Sequence, residues 1–306
     1  MPILEPFLKG AKIGSAANGL PPRVLDLGCG AGHSSFLLTV LFPHVAVTAS
    51  DQDFVSLYLA KRFLAPNAEY VCSDVEVPSP FPDSYFDAVH CLDAFHYFRS
   101  KMAIVGELRR VLKRDAVWVF PHLHNALADN VTAGTPLSPE HYARCFEFLD
   151  PTLFDEADLL RHTGEIRRAP RSSGAAVARL RGAQTVALVG GVKDPLDAAR
   201  PLRELVGDAG VGLRINPIYQ GRWRGDTLRL ELRWPNERLH EECRAADDVL
   251  PRECELTKSQ VRRLRGAGGA ADDPQIRELT SRFVLVPLPR NYSRDDFTAA
   301  DRPVTS

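Results

Sequence analysis

The 306-residue chain is predicted to be α/β, a doubly wound and mainly parallel sheet with an appended C-terminal α+β region. Three observations predict this. Strand-like and helix-like runs alternate over residues 21–125, the pattern of a parallel sheet covered by helices on both faces. Residues 24–33 (VLDLGCGAGH) read as a short buried strand running into a glycine turn, with a helix opening over 34–41 (SSFLLTVL). After residue 191 the alternation gives way to short strand and helix patterns that such a sheet does not require.

Taken in order, each element has its own justification. Gly28, Gly30 and Gly32 suit a turn that needs positive φ and lets a ligand approach the backbone. A second β-like run, 45–49 (VAVTA), ends at Asp51, 25 residues beyond Asp26. An acid closing the second strand of such a unit can accept hydrogen bonds from both hydroxyls of a ribose. A third strand is expected over 69–75 (EYVCSDV), and 81–89 (FPDSYFDAV) leads into a fourth, which exits through 91–98 (CLDAFHYF). The run 104–113 (IVGELRRVLK) reads as a helix before a fifth strand at 116–120 (AVWVF). Right-handed crossovers place the ends of strands one, two and four along one rim, where ligands of such sheets bind.

The glycine spacing narrows the ligand. A dinucleotide fingerprint has the order Gly-x-Gly-x-x-Gly. Here the third glycine comes one residue early, and Asp26 stands two residues before the first. With the later runs, this resembles the class I (Rossmann-like) S-adenosylmethionine-dependent methyltransferases of the small-molecule type, some of which act in natural-product pathways. The resemblance covers residues 23–120 and implies a seven-stranded sheet with S-adenosyl-L-methionine as cofactor. It implies that Asp26 orients the methionine portion of the donor, while Gly28, Cys29, Gly30 and Gly32 border the cofactor. Gly32 is equally placed to serve helix packing. Asp51, followed by Gln52, would take the ribose, and Asp53 reads as the N-cap of the next helix. Ser73, Asp74 and Val75 would flank the adenine, and Leu92 and Asp93 the sulfur and methyl. The chain departs from the family where strand five begins, with Arg114-Asp115-Ala116 in place of Pro-Gly-Gly. Residues 121–125 (PHLHN) match no functional motif.

Methyl transfer from a sulfonium is an in-line displacement that asks mainly for alignment and desolvation. A base is needed only if the acceptor loses a proton. Histidine is the natural candidate, and His96, just past strand four, is the expected catalytic residue, ahead of His122 and His124. No metal is expected, because His122-x-His124 lacks a third convergent ligand and His240 with Cys243 and Cys254 lacks a four-ligand pattern.

Bulk properties bound the rest. A net charge of −1 with interspersed arginines gives no reason to expect nucleic acid or an anionic membrane as partner. Six cysteines without paired spacing, no apolar leader and no membrane-length run suit a soluble cytoplasmic protein. The expected organisation is an N-terminal cap segment at 1–20, a methyltransferase domain at 21–191 and a C-terminal α+β extension at 192–306. Helices are expected over 138–148 and 155–162, and strands six and seven over 175–180 and 185–189. The extension should hold a helix at 195–206, strands at 212–219 and 227–234 joined across 221–226, and a strand at 283–287. The expected acceptor is a small molecule, with oxygen slightly preferred over nitrogen or carbon and a homodimer left open. The alternative is a non-catalytic S-adenosylmethionine-binding partner or scaffold protein.

Overall fold

The computed structural model describes residues 20–129, 134–162, 165, 168–192, 195, 202–264 and 273–289. The chain divides into two compact units, Met1–Arg200 and Pro201–Ser306. The N-terminal segment expected at 1–20 lies outside the described residues but for Leu20.

The first unit runs through β1 (Arg23–Leu27), α1 (His33–Leu41), β2 (Ala46–Asp51) and α2 (Phe54–Leu59), which continues as a π-helical turn, Ala60–Leu64. It goes on through β3 (Glu69–Cys72), β4 (Phe86–His90), α3 (Lys101–Val111), β5 (Leu112–His124) and α4 (Pro139–Cys145). It closes with β6 (Thr152–Asp155), α5 (Glu156–Arg161) and β7 (Thr185–Gly190). The seven strands form one sheet in the order β3-β2-β1-β4-β5-β7-β6. All neighbours from β3 to β5 are parallel, and β7 runs antiparallel to both β5 and β6. The chain therefore winds outward from β1 to β3, then returns to β4 and winds the other way. Right-handed crossovers put α1 and α2 on one face and α3 on the other. They open a crevice where β1 and β4 diverge, the switch point at which open α/β sheets bind ligands.

Period-2 patterning fills both faces of the strands. Leu25, Leu27, Val89, Cys91, Trp118 and Phe120 belong to one large core cluster. Within it Phe95 meets Phe120 edge-on at 5.2 Å and Phe98 at 5.7 Å between ring centroids. The intervening positions Val24, Ala88, Val117 and Val119 are buried on the opposite face.

Two expectations for this sheet need correction. Strand six is Thr152–Asp155, and the apolar run 175–180 lies in a 3-10 helix, Gly174–Gly182. The Gly-Ala-Ala start gives that run no alternation to pair, and Val177 and Leu180 point inward at helical spacing. Strand five is also longer than 116–120. It starts at Leu112, paired with Phe86, and its ladder with β4 shifts register before Ala88 meets Val117. Near its far end β5 carries one residue more than β7 between Phe120 and Leu123. Pro121, which has no N–H for a ladder, sits in this bulge, and His122 takes φ 57°.

Beyond the bulge, fully buried Asn125 ties β5 to the 3-10 segment. Its Nδ2 donates to the carbonyls of Arg181 at 3.0 Å and Ala183 at 2.7 Å, and its Oδ1 accepts from the Leu127 amide at 3.0 Å. Tyr142, also buried, donates from Oη to the His124 carbonyl at 3.0 Å.

The second unit contains α6 (Leu202–Ala209), β8 (Leu213–Ile215), β9 (Tyr219–Arg224), β10 (Thr227–Leu232), α7 (Glu237–Glu242) and β11 (Glu253–Thr257). It ends with α8 (Lys258–Arg263), α9 (Pro274–Ser281) and β12 (Leu285–Pro287). The expected strand at 212–219 is two elements. β8 pairs with β12, and the hairpin partner of β10 is β9, which turns at Gly225 with φ 60°. β11, which was not anticipated, adds to the other edge of β10 and buries Leu256 with Leu228 and Leu230. Of the helix expected at 195–206, residues 196–201 lie outside the described residues. No helix among the described residues is long and apolar enough to cross a membrane, and no two of the six cysteines form a disulfide.

Asn125→Ala leaves two buried carbonyls without their amide donor. The expected loss is about 2 kcal/mol of unfolding free energy. A urea titration followed by circular dichroism checks it, and an unchanged midpoint would show that these bonds hold nothing.

Candidate functional site

The crevice begins at the C-terminal end of β1. Asp26 is 1% exposed, and its carboxylate is held from two elements. Ser35 Oγ, in the first turn of α1, donates to Oδ2 at 2.6 Å, and His90 Nδ1 on β4 lies 3.4 Å from Oδ1. The second contact follows from register, since Asp26 pairs with His90 across the parallel β1–β4 ladder. Burial holds His90 below the ordinary histidine value despite the opposing pull of Asp26.

The three turn glycines all take positive φ, 66° at Gly28, 50° at Gly30 and 81° at Gly32, but they serve different ends. A Cβ on Gly28 would lie 2.6 Å from Ala94 Cβ, and one on Gly32 the same distance from Ala60 Cβ. Those two are packing glycines. A Cβ on Gly30 would meet nothing within 4 Å. Its amide donates to Asp51 Oδ2 at 2.8 Å, while Oδ1 of the same carboxylate accepts from the Asp53 amide at 2.9 Å. Asp51 is thus aimed from both sides, and the remaining lone pairs of a carboxylate can still accept from hydroxyls. Between Gly28 and Gly30, the Cys29 thiol is pushed well up by burial and by the nearby charges of Asp26 and Asp51, which keeps it protonated.

The next rim loop follows from Asp51. Its carbonyl accepts from the Ser73 amide at 3.0 Å, so Ser73, Asp74 and Val75 emerge beside it. Asp74 turns its own loop, accepting from the Glu76 amide at 2.9 Å. Gln52 lies between the two aspartates of the β2 exit, and Asp53 caps α2, accepting from Val55 N at 3.0 Å and Ser56 Oγ at 2.6 Å. Together, the open-faced Gly30, the doubly anchored Asp51 and the Ser73–Val75 loop fit an adenosine-bearing ligand.

On the other side of the crevice, Leu92 (38% exposed) and Asp93 leave β4 next to Gly28, with Ala94 against that glycine. Asp93 has φ 54°. Its Oδ1 lies 3.7 Å from His96 Nε2 and 3.6 Å from His124 Nε2. The His96 and His124 rings stack with centroids 4.0 Å apart, and His122 meets His124 edge-on at 5.2 Å. His122 Nδ1 lies 2.7 Å from Glu156 Oε2, which also accepts from Thr185 Oγ1 at 2.7 Å. Burial disfavours the Glu156 charge, but His122 outweighs it and the carboxyl sits below the usual glutamate value.

The expected base, His96, is fully buried, and burial followed by repulsion from His124 and His122 lowers it to about 3. His124 is lowered to about 4 for the same leading reason. The packing thus disfavours the charged form of both rings. Sequence reasoning also missed Ser35, His90, Glu156 and Thr185. None sits in a motif, and their partners are 9 to 64 residues away in the chain. His240 lies in the second unit, 2.7 Å from Asp247 and stacked on Trp234.

Residues 25–120 match a family model described as a methyltransferase domain. Curated relatives include a malonyl-[acyl-carrier protein] O-methyltransferase of Legionella pneumophila, 29% identical over 42% of this chain and 46% of that protein. The uncharacterized methyltransferase YcgJ of Bacillus subtilis is 27% identical over 45% and 52%. A trans-aconitate 2-methyltransferase of Paracidovorax citrulli is 40% identical over 28% and 33%. The chain thus spans about half the length of the first two relatives. Among solved structures, that of YcgJ from Bacillus covers 55% of this chain and 90% of its own, at 19% identity and a TM-score of 0.39. Residues 25–120 thus carry the match to a methyltransferase domain, and they hold the parallel half of the sheet and its glycine turn.

Proposed function

We propose that the whole chain is a methyltransferase that moves the methyl group of S-adenosylmethionine to a small-molecule acceptor, with oxygen slightly preferred. One observation carries the reading. Gly30, with φ 50° and nothing within 4 Å of where its Cβ would be, donates its amide to the carboxylate that ends β2. A bare backbone held against a positioned acid is what a nucleoside with free ribose hydroxyls needs.

In this reading Asp51, with Gln52 beside it, takes the ribose, and Ser73, Asp74 and Val75 flank the adenine. Gly28, Cys29 and Gly32 shape the turn around the donor. Asp26 is a positioning residue, since its oxygens face Ser35 and His90 and fix the end of β1 under the turn. Leu92 and Asp93 line the side where the methyl leaves. The cofactor, once bound, supplies a methyl carbon already activated by positive sulfur. The chain supplies alignment and a desolvated crevice. Similarity to sterol and trans-aconitate methyltransferases supports a small acceptor, and similarity to malonyl-[acyl-carrier protein] O-methyltransferases supports oxygen.

Calorimetric titration of the purified chain tests the reading. S-adenosylmethionine is expected to bind in the micromolar range and NADH not at all. Asp51→Ala should weaken S-adenosylmethionine at least tenfold, since even one hydrogen bond to a charged group is worth about 1.5–3 kcal/mol. No binding to folded wild-type protein would sink the proposal.

The glycines separate packing from contact. Gly30→Ala should cost about 1 kcal/mol of stability through its positive φ, yet abolish most cofactor affinity. Gly32→Ala adds an overlap with Ala60 and should cost about 2–3 kcal/mol. Thermal unfolding alongside titration reads both, and equal stability losses for the two variants would contradict the division.

A further inference from the structure

We infer that Asp93, His122 and His124 form a binding site for a divalent transition-metal ion at the rim where β4 and β5 end. Each offers one ligand atom, and these atoms lie within 4.8 Å of one another. Two imidazoles and one carboxylate are a donor set suited to zinc, iron(II), cobalt(II) or nickel(II). The sequence alone shows His122-x-His124 without a third ligand, and the fold supplies it from the exit of β4.

The spacing supports coordination over direct hydrogen bonding. Asp93 Oδ1 stands 3.6 Å from His124 Nε2, beyond a good hydrogen bond. Donor atoms on an ion with bonds of about 2.1 Å lie roughly 3.0–3.4 Å apart, so a small closing movement seats the ion. His122 has the support that metal-bound histidines have. Its Nδ1 is held at 2.7 Å by Glu156, itself fixed by Thr185, which selects the tautomer that leaves Nε2 able to ligate.

His96 is an independent observation. It is fully buried, and neither ring nitrogen has a hydrogen-bond partner among the described residues. Its Nε2 is aimed at the same Asp93 oxygen, 3.7 Å away. Buried polar groups are rarely left so. An ion at Asp93 gives that corner of the fold the polar centre it is built around. Asp93 and His122 also both occupy the left-handed region, unusual for side chains held this close to one another.

The role of the ion rests on the methyltransferase reading, although its binding does not. Ala94, next to Asp93, packs on Gly28 of the cofactor turn, so the ion would lie on the acceptor side. There it would bind an acceptor hydroxyl and favour loss of its proton to solvent. The acceptor oxygen then forms the new bond to the methyl carbon as the carbon–sulfur bond breaks.

The test uses tag-free full-length protein, dialysed against a chelator and titrated with cobalt(II) and, separately, zinc(II). One equivalent of cobalt(II) should bind, with visible d–d absorption of a low-coordinate nitrogen and oxygen site. Asp93→Asn and His122→Gln should each weaken binding at least tenfold, and Glu156→Gln roughly tenfold by releasing the His122 ring. His162→Ala, away from the cluster, should bind as the wild type does. Circular dichroism confirms folding, and Asp93→Asn alone decides if a histidine variant does not fold. Absence of stoichiometric binding, or binding unchanged in Asp93→Asn, overturns the inference. S-adenosylmethionine titrated in parallel keeps the two readings apart. Cofactor binding without metal binding sinks the metal site alone, and metal binding without cofactor binding sinks the methyltransferase reading alone.

Discussion

A buried carboxylate at the centre of a sheet has to be satisfied, and the geometry of the first unit follows from how Asp26 is. Its two oxygens face Ser35 on α1 and His90 on β4, so one side chain joins the first strand, the first helix and the strand across the switch point. An ionised group in that setting would be costly without such partners. Because β1 pairs with both β2 and β4, fixing its end also fixes where the crevice opens. The glycine turn then has one path, over the β2 end and against Ala94, and the Gly30 amide meets Asp51 along it.

The two sides of the crevice are built from different materials. The side at the glycine turn is mostly backbone, with amides, positive-φ glycines and one acid aimed by N–H groups. Such a surface is rigid and indifferent to most side-chain changes. The opposite side is made of side chains from separate elements, with Asp93 from the exit of β4, His122 and His124 from β5, and Glu156 from α5.

That division explains what could be read from the sequence. The glycine turn, Asp51, the β3 exit and the lead-in to β4 are local, each motif lying within a few residues, and the first five strands and the contact of the turn with Asp51 were legible from them. Strand six was not. Thr152–Asp155 is four residues with two apolar positions, whereas the more apolar 175–180 run offers a better strand by composition and is held as a 3-10 helix by packing. The hairpin of the second unit was misplaced for a related reason. Tyr219–Arg224 alternates large and charged residues weakly, and the more apolar 212–219 drew attention away from it. The histidine cluster was invisible because convergence of Asp93 with His122 and His124 depends on the β4–β5 ladder. His96 looked catalytic from its place in the chain, and only packing reveals how deeply it is enclosed.

The bulge at Pro121 and His122 gives β5 two functions that can change separately. Upstream, Trp118, Val119 and Phe120 are locked in register with Leu188, Val189 and Gly190 and carry the core. Downstream, the extra residue resets the phase before Leu123 and His124 pair again. A substitution or a one-residue change in that interval can therefore re-aim the rim without disturbing the ladder beneath it. In evolutionary terms the fold has a hinge for diversification. New side-chain chemistry can be explored at the end of one strand while the half that carries the glycine turn, and the stability it depends on, is inherited unchanged.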